Sequence, residues 1–118
     1  MPLHRLFVPP NLYSEADKSA IAAAITGVYP MLPAFYVVVI FITVEKGDFY
    51  VGGEQRHDFV RLAVENIARK LADERAKRDF MDRYEKALEP FTKARGIDWE
   101  VQVEECDVRL FLKSNMAT

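Results

Sequence analysis

A proline directly follows the first methionine, in the stretch MPLHRLFVPP. Once Met1 is removed, Pro2 carries a free secondary amine. An α-amino group has a pKa of about 7.7–8, close enough to neutral pH to take and return a proton as a general base and acid. If Met1 is retained, the same nitrogen is a tertiary amide with no basic lone pair. Pro2 is therefore the first candidate for a catalytic residue, beside the simpler interpretation that it is an ordinary strand residue.

The composition excludes several other classes of function. The chain has 118 residues, half of them apolar, and a formal net charge of −2 with acids and bases intermixed. No basic face is available to neutralise phosphates, so we expect no nucleic-acid partner. The longest apolar stretch, at positions 34–44, is too short for a membrane helix, and His4 and Arg5 interrupt any apolar signal segment. We expect a cytoplasmic protein with no membrane contact.

Metal and cofactor motifs are also missing from the sequence. His4, His57 and Cys106 lack the spacing of a zinc site. A serine nucleophile elbow, a phosphate-binding loop and a dinucleotide fingerprint are all absent. A single cysteine cannot form an internal disulfide. We therefore expect neither a bound metal nor a cofactor.

Hydrophobic periodicity predicts strands and helices in alternation. Strands are expected at 2–8, 35–44, 58–67 and 98–105, and helices from Ser14 and from about residue 72. The predicted fold is α/β (α+β), a single domain over 1–118 with two βαβ units in one four-stranded mixed sheet and two helices on one face. The first unit spans 2–44 and the second 58–105. A hairpin-like connector (45–57) joins them, and a tail (106–118) follows.

The strand predicted at 35–44 is apolar on both of its faces. Two helices on the same side of a sheet can cover only one face. The other face would then be a larger apolar patch than monomers usually expose. We therefore expect the chain to form an oligomer.

This organisation, with Pro2 at the head of the first strand, resembles the tautomerase superfamily. It is most similar to the group of cis-3-chloroacrylic acid dehalogenase, whose chains hold two fused βαβ units. The resemblance implies a homotrimer in which an amino-terminal proline is the catalytic residue and the substrate is a small carboxylate. The segments that carry it span nearly the whole chain: MPLHRLFVPP, AAAITGVY, LPAFYVVVIFITV, FYVGG, FVRLAVENIAR and GIDWEVQVEE.

The resemblance also implies which residues form the site. Pro2 matches the catalytic proline, and Arg69 lies where the family places arginines that hold the substrate carboxylate. Arg61 and Asn66 are further candidates for substrate binding, and Tyr29 stands at the position of the dehalogenase's helix-end histidine. Each has a simpler interpretation: the arginines as surface or ion-pairing residues, Tyr29 as a core residue, and Asn66 as a partner of the backbone.

Three main polar groups of the dehalogenase have no like-for-like match in this chain, and the first is the histidine that Tyr29 replaces. Val101 stands at the position of its fourth-strand tyrosine, and its water-activating glutamate would fall near Leu112. Hydration needs a carboxylate to activate water, whereas keto–enol tautomerisation needs a base and groups that stabilise the enolate. The departure therefore favours a cofactor-independent tautomerase acting on a small carboxylate-bearing keto or unsaturated acid.

Two alternatives remain open at the level of the sequence. One is a catalytically inactive member of the fold that acts as a binding or structural oligomer. The other is a hydratase- or dehalogenase-like enzyme in which Glu104 or Glu105 replaces the missing carboxylate. Strand alternation directs only one of that pair toward any given face.

Overall fold

The computed structural model describes residues 2–66 and 73–106 of the chain. Its elements follow the predicted order of strands and helices. They are β1 (Pro2–Val8), α1 (Glu15–Gly27), β2 (Val38–Thr43), β3 (Tyr50–Val51), β4 (Glu54–Gln55), β5 (Phe59–Asn66), α2 (Glu74–Leu88) and β6 (Asp98–Glu105).

The four long strands form one mixed sheet in the order β2-β1-β5-β6, and β3 and β4 form a separate hairpin. β1 pairs with β2 in parallel and β5 pairs with β6 in parallel, while β1 and β5 run antiparallel at the centre. Residues from both helices and from one face of β1 and β5 share a single buried core. The two predicted βαβ units and the placement of both helices on one face are confirmed.

The start of α1 is set by the residues around Ser14. The Ser14 hydroxyl accepts a hydrogen bond from the Asp17 backbone N–H at 3.0 Å, and the Asp17 carboxylate accepts one from the Ser14 N–H at 3.1 Å. This reciprocal capping box satisfies two donors at the helix start. Arg95 holds the same carboxylate with two hydrogen bonds of 3.0 Å, which ties α1 to the loop before β6.

The second strand begins later than the sequence pattern predicts. Residues 34–36 form a single 3₁₀ turn after Pro33, closed by a hydrogen bond from the Val37 N–H to the Ala34 carbonyl. The prediction of a strand from residue 35 is therefore wrong by three residues at its start. Aromatic and β-branched residues favour strands, but here the local turn is the stronger influence.

The second helix packs its buried residues at intervals of four. Phe80, Tyr84 and Leu88 are almost fully buried, and the helix ends at Leu88, two residues before Pro90. A proline has no backbone N–H to continue a helix. Gly96 then adopts a φ of 68°, a left-handed conformation that suits glycine at the turn into β6.

The face of the sheet away from the helices is divided into two halves. On β2 and at both ends of β1 it is apolar: Val38 is 40% exposed and Ile40 is 42% exposed, beside the half-buried Leu3 and Phe7. The rest of this face is polar: Arg5, between Leu3 and Phe7 on β1, pairs with Glu65 of β5 at 2.8 Å, and Arg61 of β5 pairs with Glu100 of β6 at 3.0 Å. We call the apolar half, formed by Leu3, Phe7, Val38, Ile40 and Ile42, the open apolar strip.

Two further sequence predictions concern the tail of the chain and a membrane helix. Residues 107–118, which include Leu112, lie outside the described residues. Neither of the helices that the structure describes is long and apolar enough to cross a membrane.

Candidate active site

Several elements meet at the end of the sheet where β1 begins. Pro2 starts β1, and antiparallel pairing places it opposite Asn66, the last residue of β5. β2 begins opposite Leu3, so the segment 28–37 between α1 and β2 reaches the same end. Tyr29 lies in this segment. The topology therefore brings Pro2, Asn66 and Tyr29 to one end of the fold.

Pro2 faces the core rather than the open side of the sheet. Along β1, Pro2, His4, Leu6 and Val8 are buried, while the residues between them are only half-buried. The Pro2 residue is less than 2% exposed, and Asn66 opposite it is 6% exposed. The Asn66 carbonyl accepts a hydrogen bond from the Cys106 N–H at 3.0 Å, which fixes the backbone beside Pro2.

His4 is the polar residue on the buried face of β1, and it lies two positions after Pro2. It is fully buried between two tyrosines. Its Nδ1 lies 2.8 Å from the Tyr84 hydroxyl, and its Nε2 lies 3.1 Å from the Tyr29 hydroxyl. The His4 ring stacks on Tyr84 at 5.5 Å between centroids and meets Tyr29 edge-on at 5.7 Å. We call these three residues the tyrosine–histidine chain.

Burial controls the protonation of all three groups. It lowers the pKa of the His4 imidazole to about 4, because the charged form loses its hydration. It raises the pKa of the Tyr29 and Tyr84 phenols above their ordinary value, and the Arg83 guanidinium partly offsets this rise at Tyr29. At neutral pH the tyrosine–histidine chain therefore consists of a neutral imidazole between two protonated phenols.

The structure describes one of the two arginines that the resemblance implies. Arg69 lies outside the described residues. Arg61 lies near the opposite end of β5, opposite Phe7, and on the open face of the sheet. There it donates to Gln102 at 2.9 Å and pairs with Glu100. The structure does not bring Arg61 together with the Pro2 of the same chain, and the ion-pairing interpretation describes its contacts here.

The register of β6 distinguishes the two glutamates near its end. Glu105 pairs with Asn66, on the face and at the end where Pro2 lies, whereas Glu104 pairs with Glu65 on the open face. Val101 is half-buried opposite Leu62 and packs against the core. Of the two carboxylates, Glu105 is the one that the strand brings close to the candidate site.

The sequence analysis missed His4, Tyr84 and Arg83 as parts of this site. Two signals were available: His4 shares the buried face of β1 with Pro2 by simple alternation, and Tyr84 lies on the apolar stripe of the second helix. Their contact was not predictable, because His4 and Tyr84 are 80 residues apart in the chain.

Two features of the described residues bear on whether another site competes with the one at Pro2. Within residues 2–66 and 73–106, no three His, Cys, Asp or Glu side chains are grouped to hold a metal ion. A cleft of about 450 Å³ lies at the opposite end of the sheet, where β5 and β6 begin, and is lined by residues that include Phe59, Asp98 and Trp99. Its position keeps it away from Pro2.

Comparison with known proteins identifies the family of the chain. The chain matches, over residues 1–117, the family model described as "Putative oxalocrotonate tautomerase enzyme". The chain belongs to this tautomerase family. No curated protein matches it.

Solved structures of tautomerase-fold proteins superimpose closely on the chain. Native RhCC from Rhodococcus jostii RHA1 is 35% identical, with a TM-score of 0.92 over 97% of this chain and 84% of that one. AU4130 from the thermophilic fungus Aspergillus fumigatus is 36% identical, with a TM-score of 0.89 over 98% and 82%. N1, a member of the cis-3-chloroacrylic acid dehalogenase family, shares the fold at 17% identity, with a TM-score of 0.79 over 94% and 79%. The recognised superfamily and the fold class are confirmed.

The low pKa of His4 predicts how the protein responds to acid. Because the folded state holds a neutral imidazole and an unfolded histidine titrates near 6.5, the folded state binds fewer protons between about pH 6.5 and 4. Stability is therefore complete above pH 6.5 and falls as the pH drops through this window, by up to about 3 kcal/mol from this residue.

Proton NMR can follow this titration in the His57→Gln variant, which retains His4 as its single histidine. We expect the His4 ring signals to stay at their neutral positions down to about pH 5. A midpoint near 6.5 would show that the imidazole is not desolvated.

Proposed function

We propose that the protein is a cofactor-independent tautomerase that uses Pro2, after removal of Met1, as general base and acid in keto–enol proton transfer. The substrate is a small keto or unsaturated acid that carries a carboxylate. The observation that supports this proposal most strongly is the position of Pro2. It lies buried at the head of a central strand, opposite Asn66, in a chain of a tautomerase family.

The environment of Pro2 favours the basic form of its amine. An exposed α-amino group has a pKa of about 7.7–8, and burial lowers the pKa of an amine because the charged form is poorly solvated. A neutral nitrogen can take a proton from one carbon of the substrate and return it to another. The proton balance is complete without an oxidant or a reductant, which fits isomerase chemistry.

Polar groups around Pro2 suit a substrate with a carbonyl and a carboxylate. The Tyr29 hydroxyl is available to donate a hydrogen bond to the carbonyl oxygen, where negative charge develops in the enolate. The buried Asn66 amide can contact the substrate beside it. Arg69 is proposed, from the family resemblance, to hold the carboxylate. If Arg61 contributes, it does so from the open face, to a site on another subunit.

A hydratase- or dehalogenase-like activity is the second candidate. The observation in its favour is Glu105, which pairs with Asn66 at the same end of the sheet as Pro2. A carboxylate in that place could activate water, whereas Glu104 lies on the opposite face. The tautomerase remains the first proposal because proton transfer requires Pro2 alone as base.

We further propose that the protein assembles as a homotrimer. The open apolar strip on β1 and β2 is the surface that a second copy would cover, since a patch of this kind is costly to leave in water. A fused 4-OT that shares the fold at 18% identity, with a TM-score of 0.76, forms a symmetric trimer. Ion pairs on the polar half of the same face, such as Arg5–Glu65, could orient the subunits.

Pro2→Ala tests the catalytic proposal. We expect ketonisation of phenylenolpyruvate or 2-hydroxymuconate to fall about 100-fold or more in kcat/KM, the range lost when a general base is removed. Pro90→Ala, at an exposed proline between α2 and β6 and away from Pro2, is the matched control and should retain the parent rate. Intact mass of each protein checks that Met1 has been removed.

Three results would contradict the tautomerase proposal and separate its alternatives. Full activity in Pro2→Ala would exclude Pro2 as the base. Binding of a small carboxylate without turnover by the processed parent protein would support the inactive binding oligomer. Hydration or dehalogenation of a 3-haloacrylate that is lost in Glu105→Gln would support the second candidate.

Ile40→Lys tests the assembly. A lysine in the open apolar strip would have to be buried at the subunit interface, so we expect the trimer mass to shift to that of a monomer or a weak oligomer in light scattering. Ala23→Lys, on the exposed side of α1, should leave the mass unchanged. A trimer that withstands Ile40→Lys would show that the subunits associate through another surface.

A further inference from the structure

We propose that His4 is a positioning residue that keeps the Tyr29 hydroxyl proton free for the substrate. In this arrangement Tyr84 donates to His4, His4 donates to Tyr29, and Tyr29 donates to the carbonyl oxygen of the bound acid. The inference rests on the proposed function and adds a specific role for the buried tyrosine–histidine chain.

The hydrogen-bonding capacity of the three groups limits their arrangement. A neutral imidazole has one N–H donor and one lone-pair acceptor, and each phenol has one O–H to donate. His4 Nδ1 contacts the Tyr84 hydroxyl at 2.8 Å and Nε2 contacts the Tyr29 hydroxyl at 3.1 Å. The hydrogen bonds of the tyrosine–histidine chain can therefore point in only two directions: from Tyr84 toward Tyr29, or from Tyr29 toward Tyr84. Each direction requires a different tautomer of His4.

Burial of Tyr84 selects one of these directions. Tyr84 is 0% exposed, so its O–H needs an acceptor inside the protein. Within the part of the chain that the structure describes, the acceptor hydrogen-bonded to it is His4 Nδ1. If Nδ1 carried the proton, two hydrogens would face each other or the Tyr84 hydrogen would remain buried without a partner. Tyr84 therefore donates to Nδ1, and the His4 proton lies on Nε2.

This tautomer determines what Tyr29 can do. Nε2–H donates to the Tyr29 oxygen, so the Tyr29 O–H is not used within the chain and is free to point elsewhere. Tyr29 is half-buried, unlike Tyr84, and lies in the segment that leads to β2 at the end of the sheet where Pro2 is found. Tyr29 is therefore the less buried end of the tyrosine–histidine chain, whose other end, Tyr84, lies in the core.

The position of His4 on β1 links the chain to Pro2. The two residues are two positions apart on one face of the same strand, a separation of about 7 Å along the backbone. Any displacement of the strand moves both. His4 acts through Tyr29 rather than by touching substrate, which distinguishes it from a catalytic residue.

Nitrogen-15 NMR of histidine-labelled protein tests the tautomer directly. In the His57→Gln variant at pH 7, we expect the His4 Nε2 to show the shift and proton coupling of an N–H and Nδ1 to show those of an unprotonated nitrogen. The opposite assignment, or a rapid average of the two, would overturn the inference. This result does not depend on turnover, so the proposed function could still stand.

Kinetics of a double-mutant cycle test the link from His4 to Tyr29. Tyr29→Phe should lower kcat roughly 10- to 100-fold with little change in KM, as expected for a hydrogen bond to developing charge. His4→Phe should cause a similar loss, and the double variant should lose no more than either one. His4→Gln, whose amide can both donate and accept, should restore most of the rate.

The contrary outcomes are distinguishable from failure of the proposed function. Losses that add in the double variant, or a His4→Gln as slow as His4→Phe, would show that His4 does not act through Tyr29. If His4→Phe does not fold, the tautomer measurement and the rate of His4→Gln still test whether His4 acts through Tyr29. Full turnover in Pro2→Ala would instead remove the proposed function while leaving the tautomer result unaffected.

Discussion

The central position of β1 in the sheet is the constraint on which the rest of the structure depends. It pairs in parallel with β2 and antiparallel with β5, so both βαβ units place their helices on the same side. Every second residue of β1 must then enter the core, and these include Pro2 and His4. Polar groups in this place lose water on all sides, which is why His4 is held between two phenols and stays neutral.

The same constraint leaves the other face of the sheet open. The strand that flanks Pro2 therefore presents core residues on one side and the open apolar strip on the other. In the assembly that we propose, a second copy covers this strip, and any residue that it contributes lies against this face. Assembly and the site would then be coupled through a single strand, because a change in the tilt of β1 moves both of its faces.

How much could be read from the sequence depended on whether a feature was local. Hydrophobic periodicity predicted β1 and β6 and placed the start of α1 at Ser14. The start of β2 was missed because the turn after Pro33 is set by local hydrogen bonds that a strand-like composition conceals.

The site was less predictable because its contacts are tertiary. Pro2 was named from its place behind Met1 and Tyr29 from a resemblance, and the register then showed that Arg61 lies on the other face and Glu105 on the near one. The residues around His4 and Tyr84 in the sequence give no sign that the two side chains are in contact. Strand pairing and helix packing bring these side chains together. Hydrophobic periodicity predicts which face of a strand or helix is buried, but not which buried residues are in contact.

The protonation of the Pro2 nitrogen is the property on which the proposed function depends most directly. Nitrogen-15 NMR of proline-labelled protein, recorded between pH 4 and 10, can measure it. We predict a titrating amine with a midpoint below its ordinary value of about 7.7. An amide signal that does not move with pH would show that Met1 is still attached, and a midpoint above 8 would show an amine that is protonated at neutral pH; either result would contradict the account.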